Sequence, residues 1–206
     1  MNIILASNSK RRQEILASCG IKHRVIPSNA TEIVGGRHAC PLQPEQVAMI
    51  NSRIKAEAVA KRVKSGYIIG ADTVVLLGKN IIGKPKNANH AKKMLKEMSG
   101  RTISVYTGLC VIDAARENLI SDYEKSLVTV KKLKDKEIPM YFKLLGPYDK
   151  AGGFSIEGAG SFIFDNIKGS YFNVLGLPMA KLKDMFERLG VDILTPPFLL
   201  QKSASK

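Results

Sequence analysis

Residues 67–77 read YIIGADTVVLL. The run is too apolar for a surface, and its length and β-branched content mark a buried strand. One ionisable residue, Asp72, stands inside it. An ionised carboxylate is costly to bury alone, so Asp72 has to be paired, hydrogen-bonded, metal-bound or set at a cleft. Either it caps a turn or pairs with a structural lysine, or it serves as a general base or metal ligand. Gly70 and Ala71 leave room for another group to approach the backbone, and Thr73 adds a hydroxyl beside the acid.

Outward from this strand, helix and strand patterns alternate. Residues 3–6 read as a buried strand, 11–19 as a helix closed by Gly20, and 21–27 as a short strand. Residues 28–44 form a polar loop, and 45–64 carry a helical apolar stripe at Val47, Ile50, Ile54, Ala58 and Val63. After the central strand, a turn at 78–80 leads into IIGKP. Residues 88–98 form a helix capped by Asn87 or Asn89. Segments 103–112 and 120–133 read as paired strands, Asp135 as the cap of a helix running to Leu145, and 161–167 as another strand. Residues 178–189 form the last long helix, with Pro178 in its first turn. The mixture of alternation and hairpins predicts an α/β fold with a mixed sheet. Residues 1–195 make one domain, and 196–206 a frayed tail.

The 206 residues carry 32 Lys and Arg against 18 Asp and Glu, a net charge of +14, which favours polyanionic partners. The lysines are scattered, however, and aromatics make up only 6%, so there is no stacking platform for nucleic acid. Solvated lysine faces account for most of the charge. No apolar run approaches the roughly 20 residues that cross a bilayer. Three widely spaced cysteines (Cys19, Cys40, Cys110) fit neither a disulfide framework nor a zinc site, which points to the cytoplasm.

The segment LASNSKRRQEIL (5–16) places Ser7, Asn8, Ser9, Lys10, Arg11 and Arg12 between a buried strand and a helix. Unpaired N–H groups and the helix dipole make such a junction an anion site. Ser7 and Ser9 have hydroxyls to donate, and Arg11 a fork for phosphate. Three cations in a first turn oppose the dipole by about 0.3–1 kcal/mol each, unless an anion rests there. The plainer alternative has Ser9 capping the helix and the cations facing solvent. No GxxxxGK[ST] occurs, which disfavours a P-loop kinase, and GAGSF (158–162) lacks the setting of a Rossmann dehydrogenase. Glu32, in NATEIVGG, is a candidate second carboxylate beside Asp72 for magnesium or manganese. Lys55 in NSRIKAEA, Lys84 in GKP and Lys150 in DKAGGF are candidate partners for phosphate oxygens. Together these residues suggest phosphate-ester chemistry.

LASNSKRRQEIL, NSRIKAEA, GADTVV, GKP, MSGRTISVYTG, YDKAGGFSIEGAG and IKGSYFNVLGLP, in this order, closely resemble the Maf family of nucleoside triphosphate pyrophosphatases, also described as septum-formation inhibitors. The resemblance implies hydrolysis of a triphosphate to monophosphate and pyrophosphate. It also implies a divalent metal, homodimers, and an elongated mixed sheet flanked by helices, with two lobes around a central cleft as in inosine triphosphatase. By the same resemblance Asp72 is the proton acceptor, Ser7, Arg11, Lys55 and Lys84 face phosphate, and Glu32 lies near the metal. The family branch acting on dTTP and UTP shows Arg, Thr and Gln at three positions; the 7-methyl-GTP branch shows Trp, Gln and Glu. This chain has Arg11, Thr73 and Glu157, and so departs from the pyrimidine pattern at Glu157. An amide both donates and accepts, whereas a carboxylate only accepts. The alternatives are a broader house-cleaning pyrophosphatase, or a non-catalytic, nucleic-acid-binding division regulator.

Overall fold

The computed structural model of the chain describes residues 2–33, 42–144 and 155–199. Its centre is β3 (Tyr67–Leu77), the strand anticipated from YIIGADTVVLL. On one side β3 pairs in parallel with β1 (Ile3–Leu5), which pairs in parallel with β2 (His23–Val25). On the other side β5 (Thr102–Asp113), β6 (Asn118–Val130) and β7 (Phe164–Lys168) continue the sheet antiparallel. The order is β2-β1-β3-β5-β6-β7, with the short β4 (Asn80–Ile82) folded back onto β3. The sheet is therefore mixed, as expected. The two parallel pairs, β1 with β2 and β1 with β3, are reached through helical crossovers: α1 (Lys10–Ser18) lies between β1 and β2, and α2 (Pro44–Ala60) between β2 and β3.

Alternation along β3 sends its odd and even residues to opposite faces. Ile69 and Ala71 join Ile3, Leu5 and Leu109 beneath α1 and α6 (Met179–Arg188), where Leu16 and Phe186 are fully buried. Each such side chain contributes roughly 1.5–3 kcal/mol. Ile68 and Cys110 meet Ala56 and Val59 of α2 on the other face. Farther along, Val75, Ile103 and Val128 pack against Leu95 and Met98 of α3 (Ala88–Met98). Asn87 caps α3, accepting from the His90 N–H at 2.9 Å.

Helix α2 lies unusually close to the sheet. A Cβ at Gly70 would fall 2.1 Å from the Ser52 carbonyl oxygen, and one at Gly108 would fall 2.3 Å from the carbonyl group of Ala48. The space beside Gly70 is filled by a helix, and any larger residue would push that helix off the strands.

Four expectations are corrected. Residues 158–162 form a 3-10 turn, so the strand begins at Phe164 rather than 161. Helix α4 (Ile138–Leu144) starts after Asp135, whose carboxylate instead pairs with Lys96 at 3.0 Å. A four-residue helix, α5 (Tyr171–Val174), stands where none was anticipated. The tail is docked as far as Leu199: Lys22 donates to the Phe198 carbonyl at 2.6 Å, and the Phe198 ring packs on Tyr67 at 5.9 Å. Apolar Phe198 outweighs the turn-forming prolines before it. No helix of the described residues is long and apolar enough to cross a membrane.

Candidate active site

Among the described residues, strands cover the outer edge of β3 in two places only. β1 pairs with Tyr67–Ile69 and β4 with Val75–Leu77, which leaves a notch at residues 70–74. Asp72 and Thr73 stand in that notch and face opposite sides of the sheet. A cleft of about 1330 Å³ opens there, lined by Ser7, Ser9, Arg11, Arg12, Glu32, Asn51, Lys55, Asp72, Thr73 and Lys84 among others. The sequence candidates among the described residues thus come together, Glu157 excepted.

On the α2 side, Asp72 is 8% exposed. Its Oδ1 accepts from Lys55 Nζ at 2.7 Å and its Oδ2 from Asn51 Nδ2 at 3.1 Å. Asn51 and Lys55 are four residues apart on α2, so both reach the same strand. Lys55 Nζ also lies 3.0 Å from Glu32 Oε1, and its ammonium bridges the two carboxylates. Asn51 grips the loop carrying Glu32: its Oδ1 accepts from the Ile33 N–H at 2.8 Å, and its Nδ2 donates to the Ile33 carbonyl at 3.1 Å. Asn51 was not among the sequence candidates; its four-residue spacing from Lys55 is the signal that could have assigned it. Removing one member of such a buried pair costs about 3–5 kcal/mol.

On the other side, Ser9 is the N-cap of α1, accepting weakly from the Arg12 N–H at 3.5 Å. Ser7 Oγ accepts twice, from the Ser9 N–H at 3.2 Å and from Arg12 Nη1 at 3.1 Å. Both its lone pairs are thus engaged, and its hydroxyl hydrogen is left to donate. The Arg12 guanidinium also donates to the Gly176 carbonyl at 2.8 Å and to Thr73 Oγ1 at 3.1 Å. Burial pushes its pKa below the usual arginine value, while Asp72 and Glu32 pull it back up. Three of its five N–H groups are engaged among the described residues, and two are left for a ligand.

Arg11 differs from expectation. Its Nε pairs with Glu157 Oε2 at 2.7 Å, and its Nη2 donates to Ser155 Oγ at 2.8 Å. The fork expected to grip phosphate is turned to the lip of the cleft, and Arg12 takes the inner place. Successive residues of a helix point about 100° apart, which is why the two arginines divide in this way. Glu157 lines a smaller neighbouring hollow with Tyr171. Burial, with the Glu157 charge adding to it, raises the Tyr171 hydroxyl above its usual value. Lys150 and the DKAGGF motif up to Phe154 lie outside the described residues.

This arrangement can bind a polyphosphate and offer a carboxylate to water. The family model "Maf-like protein" matches residues 2–189. The chain belongs to the Maf family. The dTTP/UTP pyrophosphatase of Caldicellulosiruptor saccharolyticus is 42% identical over 196 residues, covering 93% of this chain and 96% of that protein. The dTTP/UTP pyrophosphatase of Bacillus cereus (strain ATCC 14579) is 38% identical over 191 residues, covering 93% and 97%. Among solved structures, the Staphylococcus aureus Ham1 protein superposes with a TM-score of 0.54 at 13% identity, over 92% of this Maf chain and all of that one. That likeness shows the fold, an open mixed sheet flanked by helices.

Proposed function

We propose that the chain is a nucleoside triphosphate pyrophosphatase that cleaves between the α and β phosphorus atoms of dTTP and UTP. The observation that carries it is the convergence of Ser7, Arg12, Lys55 and Lys84 on the cleft that holds Asp72. Ser7 donates its hydroxyl hydrogen and Arg12 its two remaining N–H groups to phosphate oxygens, and the two lysines neutralise the negative charge of the triphosphate. Water adds at the α phosphorus and gives its proton to Asp72. The bond to the bridging oxygen breaks, and pyrophosphate leaves with the electron pair.

Magnesium or manganese suits the pair Glu32 and Asp72. Both offer hard carboxylate oxygens, and the Lys55 ammonium already marks a cation position between them. No group of three or more acidic, His or Cys side chains gathers among the described residues, so substrate oxygens and water would complete the shell. When bound there, the metal supplies charge neutralisation and polarises the anhydride.

Base choice falls to the lip. Uracil and thymine present one ring N–H flanked by two carbonyls. Glu157 needs only to accept that N–H, while Arg11 donates to a carbonyl, so a carboxylate in place of the family's Gln is compatible with these bases. Cytosine presents a ring lone pair at the same place, which a carboxylate repels. A homodimer working in the cytoplasm completes the proposal, supported by the family likeness and by the free thiols of Cys19 and Cys110.

The test is pyrophosphate release from dTTP, UTP, CTP, 7-methyl-GTP and dITP, by wild type and Glu157→Gln, with and without Mg²⁺ or Mn²⁺. Metal-dependent release that is fastest with dTTP and UTP, with CTP gaining in Glu157→Gln, supports the assignment. Release that is fastest with 7-methyl-GTP or dITP, or none from any triphosphate, refutes it.

A further inference from the structure

Thr107 touches no part of the acid centre and was not among the sequence candidates. It lies in β5 directly opposite Thr73 and is fully buried. Its hydroxyl has one hydrogen, and the Asn173 carbonyl takes it at 2.9 Å. The Thr73 and Thr107 hydroxyl oxygens are 3.0 Å apart. Since the Thr107 hydrogen is already committed, Thr73 must be the donor in that pair. Thr73 in turn accepts from Arg12 Nη2. The direction of every proton is then fixed: Arg12 to Thr73, Thr73 to Thr107, Thr107 to the Asn173 carbonyl.

The chain closes on itself. The Asn173 carbonyl also accepts from the Gly176 N–H at 2.9 Å, and the Gly176 carbonyl accepts from Arg12 Nε at 2.8 Å. Both ends of the circuit therefore grip one guanidinium. Asn173 is tied down independently, its Nδ2 donating to the Val105 carbonyl at 3.1 Å and to Ser126 Oγ at 2.8 Å. Gly176 has φ +95, and a Cβ there would meet Thr73 Oγ1 at 2.9 Å, so the circuit leaves no room for a side chain. Bonds in such a circuit polarise one another.

We propose that Thr107 is a positioning residue: by fixing the hydroxyl of Thr73 as an acceptor it orients Arg12, so that the two free N–H groups of the guanidinium meet a polyphosphate. One consequence concerns Thr73 itself. With its hydrogen spent on Thr107, it presents only a lone pair to the cleft and reads a donor on the ligand, never an acceptor.

The inference rests on the polyphosphate site proposed above, and its test has a readout independent of turnover. Affinity for inorganic triphosphate is measured by calorimetry for wild type, Thr107→Val, Thr107→Ser, Arg12→Lys and the Thr107→Val/Arg12→Lys double variant. In parallel, kcat and KM are measured for dTTP. Val keeps the branched shape and loses the hydroxyl; Ser keeps the hydroxyl and loses a methyl. We expect Thr107→Val to bind triphosphate about tenfold more weakly and to raise KM more than it lowers kcat. Thr107→Ser should stay within about threefold of wild type. In the Arg12→Lys background Thr107→Val should add less than about twofold, because a lysine has no fork left to orient. Equal losses in the two backgrounds, or Ser as damaging as Val, would overturn the proposal. Should Thr107→Val fail to fold, Thr107→Cys, of similar size and with only a weak S–H donor, takes its place with the same expectations. A wild type that binds triphosphate but releases no pyrophosphate refutes the enzymatic assignment and leaves the binding comparison to decide this one.

Discussion

Gly108→Ala tests whether the acid centre depends on the close seat of α2. The new Cβ would start 2.3 Å from the carbonyl group of Ala48 and 2.5 Å from the Met49 N atom. Both are backbone, so no side chain can swing aside. Bringing 2.3 Å up to the 3.4 Å of ordinary contact opens a gap of about 1.1 Å between helix and sheet. Asn51 and Lys55 ride on the same helix. Their bonds to Asp72, at 3.1 and 2.7 Å, do not survive a displacement of that size. Overpacking of this kind costs about 1–3 kcal/mol, and a shift of about 1 Å at reacting groups costs about a hundredfold in rate. Urea unfolding and pyrophosphate release from dTTP, at a temperature where the variant stays folded, read the two effects. Gly20→Ala is the control. Its Cβ meets nothing within 4 Å, and its φ of +73 strains the backbone only locally. It should lose about 1 kcal/mol of stability and keep its turnover. A Gly108→Ala protein with normal turnover would refute the idea that helix seating sets the acid centre.

Asp72→Asn should lower kcat by about 10²–10⁴ while nucleotide affinity changes by only a few fold, checked by single-turnover release and titration. Asn51→Ala frees Ile33 and one oxygen of Asp72; we expect about 1–3 kcal/mol of destabilisation in urea, with KM raised because the Glu32 loop loses its anchor. Burial pushes the Cys110 thiol up to about 12 from an ordinary value near 9. Between those values the folded chain keeps a proton that the unfolded chain gives up, so the thiol lowers stability as pH rises. Relative to Cys110→Val, wild type should therefore lose about 1.4 kcal/mol per pH unit between pH 9 and 12, and parallel urea midpoints across that range would contradict the sign.

Where each element has its own local signal, the fold is plain in the sequence. The apolar run from Tyr67 to Leu77, the Asn87 cap and the apolar stripe on α2 each state their structure within one local segment. Errors gather where tertiary contacts decide. Phe198 holds down a tail whose composition suggests fraying, and residues 158–162 curl into a 3-10 turn although their neighbours look like strand. The site divides in the same way. Asp72 is conspicuous as a charge inside an apolar strand, and Glu32 and Lys55 become candidates only in its company. Which of two adjacent arginines turns inward is not local information: it depends on Glu157 and Ser155 drawing Arg11 outward and on the Gly176 carbonyl receiving Arg12. Thr107 is silent in the sequence because a threonine in a strand is ordinary, and only the pairing register sets it opposite Thr73.

The notch between β1 and β4 presents two consecutive residues of one strand to the substrate, the acid on one side and the hydroxyl on the other. Their separation is set by bond lengths and the pleat, not by how the helices and loops around the cleft happen to sit. Breathing of the surrounding walls leaves that interval untouched. The molecule thus carries a rigid gauge at its centre, against which a ligand is measured.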